Sequence, residues 1–316
     1  VTGSDADLGR PPWELPETYR EQVAAMPGSA DWLPTLRDIA ARYAERWGLS
    51  PDGPAMHGWI SPAWPVVDSH QHKAVLKITP PVSWIDGEAA ALEAWSKQDH
   101  RDGEPRMIIP AAVAPEDRVV LLPRLDPTRS LEDHPDVDEA VEIIGRILAS
   151  IAGTPPVPGP GTLAAELDQI ADGLADDGPV PADQLDRARR AIAELRDHLG
   201  TTRQTLLHND LHFANVLHAR PGDKPAWFGI DPFPLIGIGE WEAIPLLRNR
   251  WPAAAASGDP DRSLRRRVDQ LCEITGYDAE LVRRCAQIVA VSNLHWILPD
   301  RRDHLHASAY LIMAGW

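Results

Sequence analysis

Only two cysteines occur in 316 residues, Cys272 and Cys285. Both fall in helical-looking segments, where a buried free thiol is expected, and two cysteines build no disulfide framework. Lysine is nearly missing: Lys73, Lys77, Lys97 and Lys224 are the whole set, so arginine carries most of the positive charge. Acidic residues outnumber basic ones 47 to 31, giving a formal net charge of −16 that excludes electrostatic attraction to a nucleic-acid backbone. No apolar run approaches the roughly 18 residues of a membrane span. The opening Val1-Thr2-Gly3-Ser4-Asp5 has neither the basic flank nor the apolar stretch of a secretory leader. These absences predict a cytoplasmic chain with no membrane and no nucleic-acid partner; monomer and homodimer both stay open. The composition, 43% hydrophobic and 25% charged, is that of a globular protein, and the length is generous for one core, so two lobes are expected.

The periodicity changes along the chain. Residues 17–26 and 33–47 read as helices, the second with Leu33, Leu36, Ile39, Ala40, Tyr43 and Trp47 on one stripe and Gly48 to stop it. Trp64–Val67 and Ala74–Ile78 read as strands around a hairpin connection at Asp68–His72. A helix over 87–97, with Asp86 as N-cap, leads to strands at Met107–Val113 and Arg118–Leu122. Beyond Asp126-Pro127 helices dominate: 137–152, 162–175, 182–199, 241–249, 261–275, 279–297 and 301–314. Only 206–231 interrupts them, with two apolar runs about a turn at Pro221-Gly222-Asp223. The expected class is α+β, with a small antiparallel-sheet lobe over 1–125 and a mainly helical lobe over 126–316.

The interruption carries the chemistry. It contains His208-Asn209-Asp210-Leu211-His212-Phe213-Ala214-Asn215, and Ile230-Asp231-Pro232 ends it. Asp210 and Asn215 lie five positions apart, and Asp231 follows an apolar aromatic run. That is the spacing of a phosphoryl-transfer centre, in which one carboxylate receives the acceptor hydroxyl while an amide and a second carboxylate hold Mg²⁺ through hard oxygen atoms. Asp210 is the candidate base; Asn215 and Asp231 are the candidate metal ligands. Singly, Asp210 reads equally as a turn residue and Asn215 as a helix cap. Lys77, inside the apolar strand Val75–Ile78, needs a partner; Glu88 is the candidate and Glu93 its competitor. His208, Asp210 and His212, completed by His295, His304 or His306, would instead suit zinc in a metallohydrolase. That alternative leaves Lys77, Glu88 and Asn215 without a role.

Val75-Leu76-Lys77, the helix Glu88–Trp95, the loop 206–217, Ile230-Asp231-Pro232 and Pro245–Trp251 together resemble the aminoglycoside phosphotransferase superfamily. The nearest likeness is to its streptomycin 6-phosphotransferase and hydroxyurea-resistance kinase branch. The resemblance implies a bilobal, protein-kinase-like fold binding ATP or GTP with Mg²⁺ between its lobes. It implies Lys77 and Glu88 as the phosphate-holding pair, and Leu121, Pro123 and Leu125 in the connection that meets the nucleotide base. The phosphate-covering loop would lie near His57–Pro65. The acceptor would be a hydroxyl-bearing antibiotic, an aminoglycoside or another sugar-containing natural product, with Glu240, Trp241, Glu242, Trp296 and Asp300 as candidate contacts. A nucleoside-type antibiotic, a metabolite sugar, or a nucleotide-binding homologue without turnover are the other readings. Three departures from the family pattern stand out. Asn209 replaces the usual glycine, the acidic motif reads Gly237-Ile238-Gly239-Glu240-Trp241-Glu242, and the covering loop has Gly58 but no run of glycines. Asn209 can tolerate the left-handed backbone a glycine would supply.

Overall fold

The computed structural model describes residues 13–81, 86–99, 103–176, 178–220, 224–297 and 306–316. They separate into two units. One takes the described residues up to Lys97 together with Ile108–Arg124; the other takes Gln98–Met107 and Leu125–Trp316.

The first unit contains helices α1 (Glu17–Val23), α2 (Ser29–Trp32), α3 (Thr35–Trp47) and α4 (Glu88–Ser96). Its strands are β1 (Ser50–Pro51), β2 (Met56–His57), β3 (Pro62–Val67), β4 (Lys73–Ile78), β6 (Ala112–Ala114) and β7 (Val119–Pro123). They form an antiparallel sheet in the order β1-β3-β4-β7-β6, with β2 added to β3. α3 buries Leu36, Ala40, Tyr43 and Ala44 in one core with Trp64, Val66, Leu76, Ile78 and Val119, while Leu33, Ile39 and Trp47 pack at its margin. Gly48 ends α3 in the left-handed region at φ 64°, and the Leu49 N–H returns to the Ala44 carbonyl at 2.8 Å. Only glycine enters that geometry without a Cβ penalty, so the helix stops where the sequence places it.

Two local expectations are corrected here. The strand expected over Met107–Val113 is two strands: β5 (Arg106–Met107) pairs with β12 (Trp227–Gly229) in the second unit, while β6 stays in the first. Pro110, which has no N–H to give a ladder, stands between them. Asp86 does not cap α4: the N-cap is Gly87 at φ 98°, and the Asp86 carboxylate pairs with Arg118 at 3.3 Å.

The second unit holds α5 (Val137–Ile151), α6 (Leu163–Gly173), α7 (Ala182–Thr201), α8 (Ala243–Arg248), α9 (Trp251–Ala256), α10 (Pro260–Thr275), α11 (Ala279–Ile297) and α12 (Ala307–Met313). Asp136 caps α5 by accepting from the N–H groups of Asp138 and Glu139 at 2.9 and 3.1 Å. The 3.6-residue spacing of Val137, Val141, Ile144, Ile147, Leu148 and Ile151 predicts one apolar side for this helix, and all of them are buried except Val137, which is half-buried. α5 packs on α10 at Gly145, where an added Cβ would stand 3.0 Å from Ile274 Cδ1. Two small sheets complete the unit, in the orders β5-β12-β11-β8 and β10-β13-β9. Their further strands are β8 (Asp126–Ser130), β9 (Gly161–Thr162), β10 (Thr205–Leu207), β11 (Val216–His218) and β13 (Leu235–Gly237). The expected turn at 221–223 lies outside the described residues, as do 301–305 of the last expected helix. Among the described residues, no helix is long and apolar enough to cross a membrane.

Candidate active site

Two antiparallel strand pairs shape the site. β10 pairs with β13, and β11 pairs with β12 in the register Val216↔Gly229. Asn215 directly precedes β11 and Ile230-Asp231 directly follows β12, so the register alone makes them neighbours. The Ile230 N–H donates to the Asn215 carbonyl at 2.9 Å. Between β10 and β11 the chain turns through His208–His212 and a short 3-10 turn at Phe213–Asn215. The Asn215 amide donates to the Asp210 carbonyl at 2.9 Å and lies 3.4 Å from its carboxylate Oδ2. With the nitrogen engaged, the amide oxygen is the atom left to meet a cation. Asn209, at φ 63°, adopts the left-handed backbone expected of it, and Asp231 does the same at φ 56°.

A buried frame holds this loop. The Glu242 carboxylate, 1% exposed, accepts from the N–H of His208 at 2.5 Å and of Asn209 at 2.8 Å. The Trp241 indole N–H donates to the Asn209 side-chain oxygen at 3.1 Å. His208 is fully buried: its Nε2 donates to the Ile230 carbonyl at 3.1 Å and its Nδ1 accepts from the Asp210 N–H at 3.3 Å. That pattern requires the neutral ring, in accord with burial lowering its pKa to about 3. His208 therefore holds the backbone of Asp210 and not its carboxylate. Burial likewise lowers His212 to about 4, so its approach to Asp210 at 3.8 Å is no charge pair. Phe213 is buried beneath the guanidinium groups of Arg250 and Arg267.

The partner of the Asp210 carboxylate is Arg248, whose Nη2 donates to Oδ1 at 2.6 Å. Arg248 ends α8, and buried Arg267 closes that helix by donating to the carbonyls of Leu246, Asn249 and Arg250. Burial pushes Asp210 up to about 6; Arg248 pulls it back and the charge of Asp231 pushes it up further. Burial also raises Glu242 to about 7, opposed by the two N–H bonds it accepts. Sequence reasoning missed Arg248 as a partner of Asp210. Its one signal was a guanidinium closing the apolar run Ala243–Leu247, which needs an acceptor nearby.

The other candidates are distributed as follows. Lys77 Nζ meets Glu88 Oε1 at 2.5 Å inside the first unit, with side chains only 10% and 7% exposed. The Thr79 hydroxyl donates to the second Glu88 oxygen at 2.7 Å. Glu93 pairs with Lys97 instead, at 3.1 Å. Leu121 and Pro123 lie on β7 and Leu125 follows it; the Leu121 carbonyl is taken by the Ala111 N–H at 2.7 Å. Glu240 is half-buried and accepts from the Asp278 N–H at 3.3 Å, and Trp296 is 73% exposed on α11. Trp241 and Glu242 are buried behind the loop rather than open on its surface. Their 3-10 turn begins at Gly239, where a Cβ would stand 2.3 Å from the Tyr277 ring. Asp300 lies outside the described residues.

The donor set bears on the metal. Among the described residues no group of three or more His, Cys, Asp and Glu is placed to hold an ion, which leaves the zinc alternative without a site there; His304 lies outside them. Magnesium demands less, since one or two protein oxygens suffice when phosphates and water complete the octahedron. Asn215 and Asp231 fit that requirement.

Comparison with known proteins follows the same line. Two solved structures, a macrolide 2′-phosphotransferase from Brachybacterium faecium and a choline kinase from Streptococcus pneumoniae, share the fold. Their TM-scores are 0.51 and 0.52 at 14% and 12% identity, over 87% and 88% of this chain and 97% and 99% of theirs. The fold is thus the α+β, protein-kinase-like one, with an antiparallel-sheet N-terminal part and a mainly helical C-terminal part. Streptomycin 6-kinase of Streptomyces griseus is 31% identical over 276 residues, 85% of each chain. Hydroxyurea phosphotransferase of Kitasatospora aureofaciens is 32% identical over 297 residues, 91% of this chain and 81% of that one. The family model described as aminoglycoside/hydroxyurea antibiotic resistance kinase matches residues 46–300. The chain belongs to the aminoglycoside/hydroxyurea antibiotic resistance kinase family.

Proposed function

We propose that the protein is a cytoplasmic O-phosphotransferase that uses ATP or GTP with Mg²⁺ to phosphorylate a hydroxyl of a small-molecule antibiotic, an aminoglycoside or another sugar-containing natural product. One observation carries the reading: the Asp210 carboxylate sits on a rigid loop whose own backbone carbonyl binds the amide of Asn215, with Asp231 set beside them by strand register.

Asp210 accepts the proton of the acceptor hydroxyl as its oxygen bonds to the γ-phosphorus. The bond from that phosphorus to the bridging oxygen breaks, and a nucleoside diphosphate leaves. Asn215 and Asp231 would hold the magnesium ion, which would supply neutralisation of the charge that spreads over the phosphate oxygens. Lys77, kept in place by Glu88, takes phosphate oxygens of the nucleotide. Arg248 keeps Asp210 ionised and oriented until the acceptor arrives. The loop makes no large movement in this scheme, since its N–H groups are already tied to Glu242. Such preorganisation is what lets fixed dipoles lower a barrier without reorganisation cost.

Release of nucleoside diphosphate, measured against a panel of aminoglycosides, hydroxyurea and sugar-bearing antibiotics, tests the reading. Turnover with one acceptor, lost on chelation of magnesium and restored by adding it back, is the expected result. Nucleotide left intact with every acceptor at saturating magnesium would overturn it.

A further inference from the structure

The hairpin between β2 and β3 spans the segment that the family resemblance implies as the phosphate-covering loop, yet it has a single glycine and carries Trp59, 82% exposed, at its tip. A glycine-rich loop can turn its N–H groups toward an anion freely; this one needs another means. Helix α1 supplies it. The Gln22 amide donates to the carbonyl of Gly58 at 3.1 Å and to that of Trp59. The Tyr19 hydroxyl donates to the carbonyl of Ile60 at 2.7 Å. Thr18 is hydrogen-bonded to His57 Nε2 at 2.9 Å, and the His57 ring lies 5.4 Å from that of Tyr19. Three consecutive carbonyls are thereby drawn to one side.

Peptide planarity does the rest. In a trans peptide the C=O and the following N–H point in opposite directions, and these bonds are trans. Carbonyls 58, 59 and 60 face α1, so the N–H groups of Trp59, Ile60 and Ser61 face away from it. Successive N–H groups on one side form a concavity suited to phosphate oxygens. At the base of the hairpin the Ser61 hydroxyl reaches Thr79 at 3.4 Å, and Thr79 bonds Glu88, the partner of Lys77. The hairpin and the buried cation are thus linked through two hydroxyl groups.

We propose that Tyr19 and Gln22 of α1 are positioning residues for the nucleotide: by fixing the hairpin's carbonyls they aim its N–H groups at the phosphates, in place of glycine flexibility. The inference rests on the kinase reading above. The test is the double variant Tyr19→Phe/Gln22→Ala, which keeps the buried ring and changes one exposed side chain. Loss of the hydrogen bonds at about one order of magnitude in binding predicts a roughly tenfold rise in the nucleotide KM and in the Kd for Mg-ADP by calorimetry. The acceptor KM should change less than about twofold, and the melting temperature should hold. A double variant that folds and binds Mg-ADP as wild type does would overturn the brace while leaving the kinase reading intact. Equal rises in both KM values would also overturn it, because they indicate general loosening. Wild-type protein that binds no magnesium nucleotide would overturn both.

Discussion

Two of this protein's ion pairs, Lys77–Glu88 and Arg248–Asp210, have nearly the same contact length and quite different surroundings. Lys77–Glu88 closes at 2.5 Å with its side chains 10% and 7% exposed; Arg248–Asp210 closes at 2.6 Å with 28% and 32% exposed. The first is enclosed by a sheet and a helix of one unit, and Thr79 satisfies the remaining Glu88 oxygen. Removing either member leaves a buried charge with nowhere to go, the case in which the desolvation cost is largest. The second is half open. Water can screen it, a substrate hydroxyl can compete for it, and its carboxylate is already pushed up to about 6. An enclosed pair fixes geometry; an open pair can exchange partners during a reaction. In the proposed mechanism the former holds a cation and the latter holds a base.

Substitutions can break that contrast, and the largest effect falls on the open pair's carboxylate. Asp210→Ala should lower kcat by about 10²–10⁴-fold, the usual worth of a positioned general base, with little change in nucleotide KM in steady-state assays. The enclosed pair should show the larger stability effect. Lys77→Ala should cost about 3–5 kcal/mol in chemical denaturation because Glu88 is left unpaired, whereas Arg248→Ala should cost about 1 kcal/mol or less. Equal losses for the two would show that enclosure does not separate them.

The loop frame sharpens the comparison further. Glu242→Ala leaves the His208 and Asn209 N–H groups without an acceptor and should destabilise by about 1–3 kcal/mol. Glu242→Gln, which keeps one carbonyl oxygen, should lose less of both stability and kcat. The pH dependence has a definite sign. In the proposed mechanism Asp210 acts as the ionised base, and its folded pKa is raised, so kcat/KM should climb with pH and level off above about 6. Stability moves the other way. For a carboxyl with a raised folded pKa the stabilising share is complete below the unfolded value and is lost as pH rises through the folded one. Asp210 and Glu242 should therefore withdraw stability as pH rises from their ordinary values, 3.8 and 4.5, to about 6 and about 7. Glu242→Gln should flatten the upper part of that slope in denaturation measured across the range. The smallest effect belongs to Trp296→Ala, which should stay within about 0.5 kcal/mol because the ring is already in water.

What the sequence disclosed, and what it hid, follows physical lines. Asp210, Asn215 and Asp231 were legible because loop chemistry is local: five residues and one apolar hairpin fix their relation. Lys77 was legible because an ammonium in an apolar strand demands a carboxylate, and Glu88 stands one helix start away. Arg248 was not, since its bond to Asp210 spans 38 residues and depends on how α8 packs. Glu242 was read as an acceptor contact; nothing in its spacing reveals that its carboxylate serves two backbone N–H groups 33 and 34 positions earlier. The motif that departs from the family pattern is thus occupied in holding the loop. The split of Met107–Val113 between two sheets escaped for the same reason, because strand pairing is decided by distant partners and only Pro110 hinted at a break. Asp86 looked like a cap until Arg118 claimed it.

Mass spectrometry of the acceptor panel after incubation with magnesium and ATP or GTP tests the central claim most directly, wild type beside Asp210→Asn. The account predicts one added phosphate on an antibiotic hydroxyl with the wild type and almost none with the variant. A variant that phosphorylates the same acceptor at the wild-type rate would contradict it.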